Sequence, residues 1–194
     1  MHAYSNSCNS RRPIIFVIAF AAIAICPVVN SLVSQVQIVG PIASSSLYYG
    51  AFALVDRFAW KLPWLNRLFG TPDLSGDWKV EGNTSGADGI ERSWNAVVTV
   101  TQTWTRISVV LVTQTSTSVS KVAGLQLLPG QGCRLIYTYD SQRTVDEASL
   151  IDHRGTCELQ FEKHGKLATA YYFTDRNRKT VGSMTWTKQE GNKN

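Results

Sequence analysis

The residues of this 194-residue chain that could do chemistry are rings, hydroxyls and arginines set at alternating positions. Trp104, Tyr137, Tyr139, Tyr171 and Tyr172 are candidate ring surfaces. Gln102, Thr113, Ser116, Ser118 and Ser120 are candidate hydrogen-bonding groups, and Arg106, Arg143 and Arg178 could meet anions bidentately. Taken singly, strand aromatics mostly pack in cores and Ser/Thr runs mostly face water. Taken together they fit a pocket for one planar, polar, anionic molecule, because bases stack on rings and guanidiniums pair with phosphates. Gln102, Trp104, Arg106, Thr113, Ser118, Tyr137, Tyr139, Arg143 and Tyr171 are the ligand contacts this pattern predicts.

Catalytic sets are not evident. The three histidines are His2, His153 and His164, in a tail, beside Asp152, and beside Gly165. There is no Cys-x-x-Cys, His-Glu-x-x-His, Gly-x-Ser-x-Gly or phosphate-loop spacing. The chain therefore reads as a binding protein, not an enzyme, with no cofactor and no metal site expected.

The elements that must position these groups follow a period of two. Trp94, Ala96, Val98 and Val100 alternate with polar neighbours, as do Ile107, Val109 and Leu111, then Leu135, Tyr137 and Tyr139, then Cys157, Leu159 and Phe161. Leu167, Thr169, Tyr171 and Phe173 read as the inward series of a further strand, and Gly182, Met184 and Trp186 as that of the last. Eight strands are predicted, near 75–82, 92–103, 106–114, 117–128, 133–140, 150–162, 166–174 and 181–188. Short turns such as Pro129-Gly130-Gln131-Gly132 join them, which favours an antiparallel meander. Such a meander can close into a small eight-stranded up-and-down β-barrel of the lipocalin or avidin kind, wide enough for side chains or one small ligand. A two-sheet sandwich is the alternative. Gly76-Asp77-Trp78 matches the Gly-x-Trp of lipocalin-like barrels, where the Trp closes one end, so Trp78 reads as a plug. Cys133 and Cys157 could be neighbours across two strands, reduced in a cytoplasmic domain and oxidised in an exported one.

The first third is different. Residues 1–55 contain no Asp or Glu, and Arg11 and Arg12 precede an unbroken apolar run from Pro13 to Val29. A second uncharged stretch, Val36 to Val55, ends at Asp56-Arg57. A bilayer core of about 30 Å needs about 17–25 apolar helical residues. Two transmembrane helices over 13–57 are predicted, after a tail at 1–12 and before a linker at 58–72, a β domain at 73–190 and a tail at 191–194. Arg11, Arg12, Arg57, Lys61 and Arg67 flank the pair, whereas the Asn30–Gln35 link has no Lys or Arg, so both termini are expected in the cytoplasm of a bacterial inner membrane. Trp60 and Trp64 suit an interfacial belt. A cleaved signal peptide with an Ala22-Ile23-Ala24 site, a twin-arginine signal, or a lipoprotein signal at Cys26 would each leave the second stretch unexplained. Gly40 and Ser44, and Ser46 and Gly50, are small residues four apart, which lets helices approach closely within or between chains.

Charge completes the picture. The net charge is +5, with 17% charged and 44% hydrophobic residues, which excludes a charge-rich disordered chain. Residues 71–194 hold 14 basic and 13 acidic residues, leaving +1, too little for a DNA or RNA polymer and its many phosphate contacts.

The order of features resembles a known family. The paired apolar segments precede the Trp60–Trp64 linker and Pro72-Asp73-Leu74-Ser75-Gly76-Asp77-Trp78. Val100-x-Gln102-x-Trp104-x-x-Ile107-x-Val109-x-Leu111, Leu135-x-Tyr137-x-Tyr139, Tyr171-Tyr172, Arg176 and Thr180-x-Gly182-x-Met184 follow. This resembles the SMODS-associated two-transmembrane, β-strand-rich effectors of bacterial cyclic-oligonucleotide antiphage systems (CBASS). The resemblance implies a partner cyclase of the CD-NTase class that makes a cyclic dinucleotide on infection. It implies that the barrel binds this ligand, that the hairpins then assemble into homo-oligomers in the lipid bilayer, and that the inner membrane is disrupted. A membrane-anchored lipocalin-like carrier and a ligand-free membrane scaffold are the competing expectations.

Overall fold

The computed structural model describes residues 1–7, 11–32, 40–63, 69–86, 88–144, 152–163, 165–176 and 178–189, with only the backbone of 30, 32 and 40–43. It divides into two units, one of residues 8–71 and one that joins Met1–Ser7 to everything after Thr71. Residues 33–35 of the predicted link, Trp64, Arg67, His164 and the 191–194 tail lie outside the described residues.

The first unit holds α1 (Arg11–Leu32), α2 (Gly40–Arg57) and a 3₁₀ turn at Ala59–Lys61. Over Arg11–Val29, α1 is long and apolar enough to cross a membrane, and little of that stretch is buried. Phe16, Val17, Phe20, Ile23, Ile25 and Val28 all stand exposed along it. So many large apolar side chains facing outward call for an apolar surrounding. Gly50 of α2 is exposed, and a Cβ built there meets nothing within 4 Å among the described residues, so it is not a contact point between α1 and α2 there. The side of Gly40 is not described, and Ser44 and Ser46 are half-buried and exposed, respectively.

The second unit is a closed sheet. Its strands are β1 (His2–Asn6), β2 (Gly76–Ser85), β3 (Glu91–Gln102), β4 (Arg106–Val112), β5 (Ser116–Leu128), β6 (Gly132–Arg143), β7 (His153–Phe161), β8 (Leu167–Thr174) and β9 (Val181–Lys188). β2 to β9 pair in sequence, antiparallel, and β9 returns to β2, closing a barrel. Among the described residues the strands number nine, not the eight read from the sequence. The extra strand comes from the segment expected to be a tail: β1 lies antiparallel to β4 and parallel to β5, with His2 opposite Ile107 and Tyr4 opposite Ala123. Three polar residues in five hid it, since only Tyr4 turns fully inward.

Alternation fixes which side chains fill the interior. Trp78 and Val80, Ala96, Val98 and Val100, Ile107 and Val109, Leu135, Cys157, Leu159 and Phe161 are buried, and their sequence neighbours face out. In β5 the register slips at Lys121, so the inward series passes from Ser120 to Ala123 and Leu125. β8 corrects the predicted phase. Ala168, Ala170 and Tyr172 point inward, while Tyr171 and Phe173 are exposed. Volume decides this. Ala168 pairs with Trp186 and Ala170 with Met184, so the large neighbours of β9 leave room only for methyl groups. Cys133 and Cys157 are both buried and unbridged, and are not neighbours: Cys133 lies opposite Phe161, and Cys157 opposite Tyr137, four residues along β6.

Candidate functional site

One end of the barrel is filled. Trp78, Phe161 and Trp186 pack with ring centroids 5.4 to 6.4 Å apart, and Trp78 Nε1 donates to Leu74 O at 3.1 Å. Trp78 is thus the plug its Gly-x-Trp setting suggests. The same end holds Gln102, whose Nε2 donates to Tyr4 Oη at 3.2 Å and to Pro72 O at 3.1 Å, and whose Oε1 accepts from Leu74 N at 2.8 Å. Gln102 therefore ties the place where the chain leaves the barrel to the place where it returns.

The other end is hollow. A cavity of about 550 Å³ opens there, within the range of about 300–1,000 Å³ usual for small-molecule sites. Its wall is built from cross-strand pairs of glycine and aromatic residues. Gly82 faces Trp94, Gly155 faces Tyr139 and Gly182 faces Tyr172. A Cβ on any of these glycines would overlap the ring opposite it. The missing side chain lets each ring lie over the neighbouring strand. The rings are then locked: Trp94 Nε1 donates to Thr84 Oγ1 at 2.8 Å and to Tyr172 Oη at 3.2 Å, and Thr84 also bonds the Tyr172 hydroxyl. Trp94 and Tyr172 meet edge to face at 6.0 Å, and Tyr139 meets His153 the same way at 6.3 Å.

Two guanidiniums border this cavity. Arg92 is committed to Asp88, Nη2 to Oδ2 at 2.6 Å, and that bond is the main reason the Asp88 carboxyl stays below its ordinary range. Arg178 Nη1 donates to His153 Nδ1 at 3.1 Å. An arginine can only donate, so His153 accepts at Nδ1 and, in that tautomer, carries its proton on Nε2. Deep in the barrel, burial pushes the Cys157 and Cys133 thiols up to about 12 and drives the Tyr137 and Tyr139 hydroxyls up from their ordinary value. These groups stay neutral at physiological pH, so the cavity wall is polar and carries little fixed charge apart from its arginines. Among the described residues no group of His, Cys, Asp or Glu is placed to hold a metal.

The sequence-predicted contacts divide among the open end, the filled end and the outer surface. Thr113, Ser118, Tyr137 and Tyr139 line the cavity, together with Ser116, Tyr172 and Arg178. The Thr113 hydroxyl is partly used by its own turn, accepting from Ser116 N at 2.9 Å. Gln102 and Trp104 are buried away from the cavity, and Trp104 O accepts from Tyr4 Oη at 3.0 Å. Arg106 is exposed opposite Ala3, and Arg143 is exposed at the end of β6, where its N–H donates to Asp152 Oδ1 at 3.1 Å. Tyr171 stands on the outer face, 73% exposed. Alternation alone cannot tell one end of a barrel from the other, which is why Gln102 and Trp104 were grouped with Tyr137. Trp94, Thr84, His153 and Ser141 were missed. A glycine placed to pair across the β2–β3 hairpin with a ring was the available signal for Trp94.

Two comparisons bear on this cavity. Residues 69–188 match the family model described as "Cap15, cyclic dinucleotide receptor domain". A protein of Yersinia aleksiciae described as "CD-NTase-associated protein 15" is 32% identical over 149 residues, covering 77% of this chain and 71% of the relative. The matched segment carries every strand of the barrel except β1 and all the residues that line the cavity. The chain belongs to the family of Cap15 cyclic dinucleotide receptor domains.

Proposed function

We propose that this chain is a membrane-embedded antiphage effector of the CBASS type, which binds a cyclic dinucleotide in the hollow end of its barrel and answers by assembling its helices and breaching the inner membrane. The reading is one of binding, not catalysis. The observation that carries it is the glycine-backed aromatic wall with Arg178 at its rim, inside a domain of the cyclic dinucleotide receptor family. Trp94 and Tyr172 on one side and Tyr137 and Tyr139 on the other offer faces for two bases. Arg178 offers a charge-assisted pair to a phosphate, and Ser118 and Ser141 offer hydroxyls to base edges.

Two crossings are supported by chain path. β1 and β2 belong to one closed sheet, and residues 8–71 lie between them. A chain that enters the bilayer through α1 must come back before Pro72, and α2 is the described helix on the way. Arg11, Arg12 and Arg57 at the outer ends of the pair favour the cytoplasm for both termini. Gly50, exposed on α2, is a contact point left for a second copy.

Calorimetry of the full chain in nanodiscs against cyclic dinucleotides of A, C, G and U in both 3′,3′ and 2′,3′ linkages tests the binding reading. One tight ligand is expected, and a silent panel overturns it. The full chain is needed because β1 is part of the barrel wall.

A further inference from the structure

β4 and β5 pair directly over only a short stretch near the cavity, Val110 to Val112 against Val119 to Thr117. Beyond that they part, β5 bulges at Lys121, and β1 occupies the slot. It is held from inside and outside. Tyr4 is buried, and its hydroxyl donates to Trp104 O and accepts from Gln102. Farther along, Ser7 N donates to Leu125 O at 3.0 Å, and Ser7 Oγ accepts from Leu127 N at 2.9 Å. At its start, β1 reaches the cavity wall through one relay. Val109, which lines the cavity, gives its N–H to Ser120 Oγ at 2.9 Å, and Ser120 Oγ in turn bonds His2 Nε2 at 2.8 Å. His2 Nδ1 lies 3.2 Å from Ala3 O, which accepts its proton, so in the neutral ring the Ser120 hydroxyl donates to Nε2. A side chain of β1 thus bonds the Ser120 hydroxyl that in turn holds the wall residue Val109, where the β4–β5 ladder has opened, and α1 begins four residues after Ser7.

We infer that β1 is a clasp whose docking in the β4–β5 slot is coupled to occupancy of the cavity, so that the state of the pocket is felt at the start of α1. The docked strand fixes Val109 and the slot, and a ligand resting on Val109 and Ser118 fixes the same two strands. Each event lowers the ordering cost of the other, and by linkage the effect is equal in both directions. This inference rests on the proposed binding of a cyclic dinucleotide. A strand that merely completed the wall would stabilise the barrel without touching affinity.

Ser5 and Gly124 are register partners on the outer face, and a Cβ built on Gly124 lies 3.0 Å from Ser5 Oγ. A disulfide, which needs Cβ atoms about 3.8 Å apart, can lock the clasp there. The experiment uses the full chain in nanodiscs, carrying Cys8→Ser, with the best-binding cyclic dinucleotide of that panel as probe. Tyr4→Ala is expected to weaken the probe at least about fivefold, the lower bound of usual coupling. Adding Ser5→Cys and Gly124→Cys is expected to restore the affinity when oxidised and to lose it again on reduction. In the parent chain the probe is expected to slow amide exchange of residues 4–6 by a similar factor. If Tyr4→Ala does not fold, His2→Ala takes its place. Affinity that ignores both the variant and the lock, with exchange of residues 4–6 unchanged, overturns the coupling and leaves the binding reading standing. A panel silent against every form overturns both.

Discussion

The two ends of this barrel are made from the same alternating strands and differ in what faces the glycines and the rings. At the closed end, rings meet rings: Trp78, Phe161 and Trp186 fill the interior, and Ala168 makes room for Trp186. At the open end, rings meet glycines: Trp94, Tyr139 and Tyr172 lie back against Gly82, Gly155 and Gly182, and the centre stays empty. A large residue opposite a small one thus does opposite things. Directed inward, it makes a core, and laid along the wall, it makes a pocket. Stability and recognition are thereby divided between the ends.

The sharpest way to break that division is Trp78→Ala. Truncating a fully buried Trp is expected to cost the fold about 3–5 kcal/mol, read by chemical denaturation, while folded molecules keep their ligand affinity. A lost affinity at full folding would place ligand contacts at the closed end. Next in size is Trp94→Ala, expected to weaken ligand binding by about 1–3 kcal/mol, the usual worth of one base stacked on one ring, while costing the fold less than Trp78→Ala. Gly82→Val should reproduce this loss, since the atoms its side chain meets first are those of the Trp94 ring. If Trp94→Ala instead costs the fold as much as Trp78→Ala and leaves affinity intact, Trp94 belongs to the core.

The last effect is alkaline. Cys133 and Cys157 ionise near 9 when unfolded and are pushed up to about 12 by burial in the barrel. Their contribution to stability is complete below pH 9 and is lost between about 9 and 12, because the unfolded thiols release protons first. Denaturation midpoints should fall over that window, and Cys157→Val should flatten the fall. An unchanged slope would mean that water reaches the Cys157 sulfur.

Much of this was legible in the sequence. Period-two alternation places β3, β4, β6, β7 and β9 in the right phase, and the Gly-x-Trp setting identifies the plug. The apolar run Pro13–Val29 becomes α1. What was not legible depended on partners far along the chain. The inward phase of β8 is set by Trp186 and Met184, and the roles of Gln102 and Trp104 are set by Tyr4 and Pro72. β1 was invisible because a polar five-residue strand carries almost no pattern of its own and exists only where a slot receives it.

That slot sets an order of events during synthesis. His2 leaves the ribosome before either helix, and its partners Ile107 and Ser120 are made more than a hundred residues later. Pairings so distant in sequence form slowly. The N-terminal strand therefore waits unpaired while the apolar helices emerge and find their surroundings, and the barrel wall can be completed only afterwards. The strand made before the helices is fitted after them.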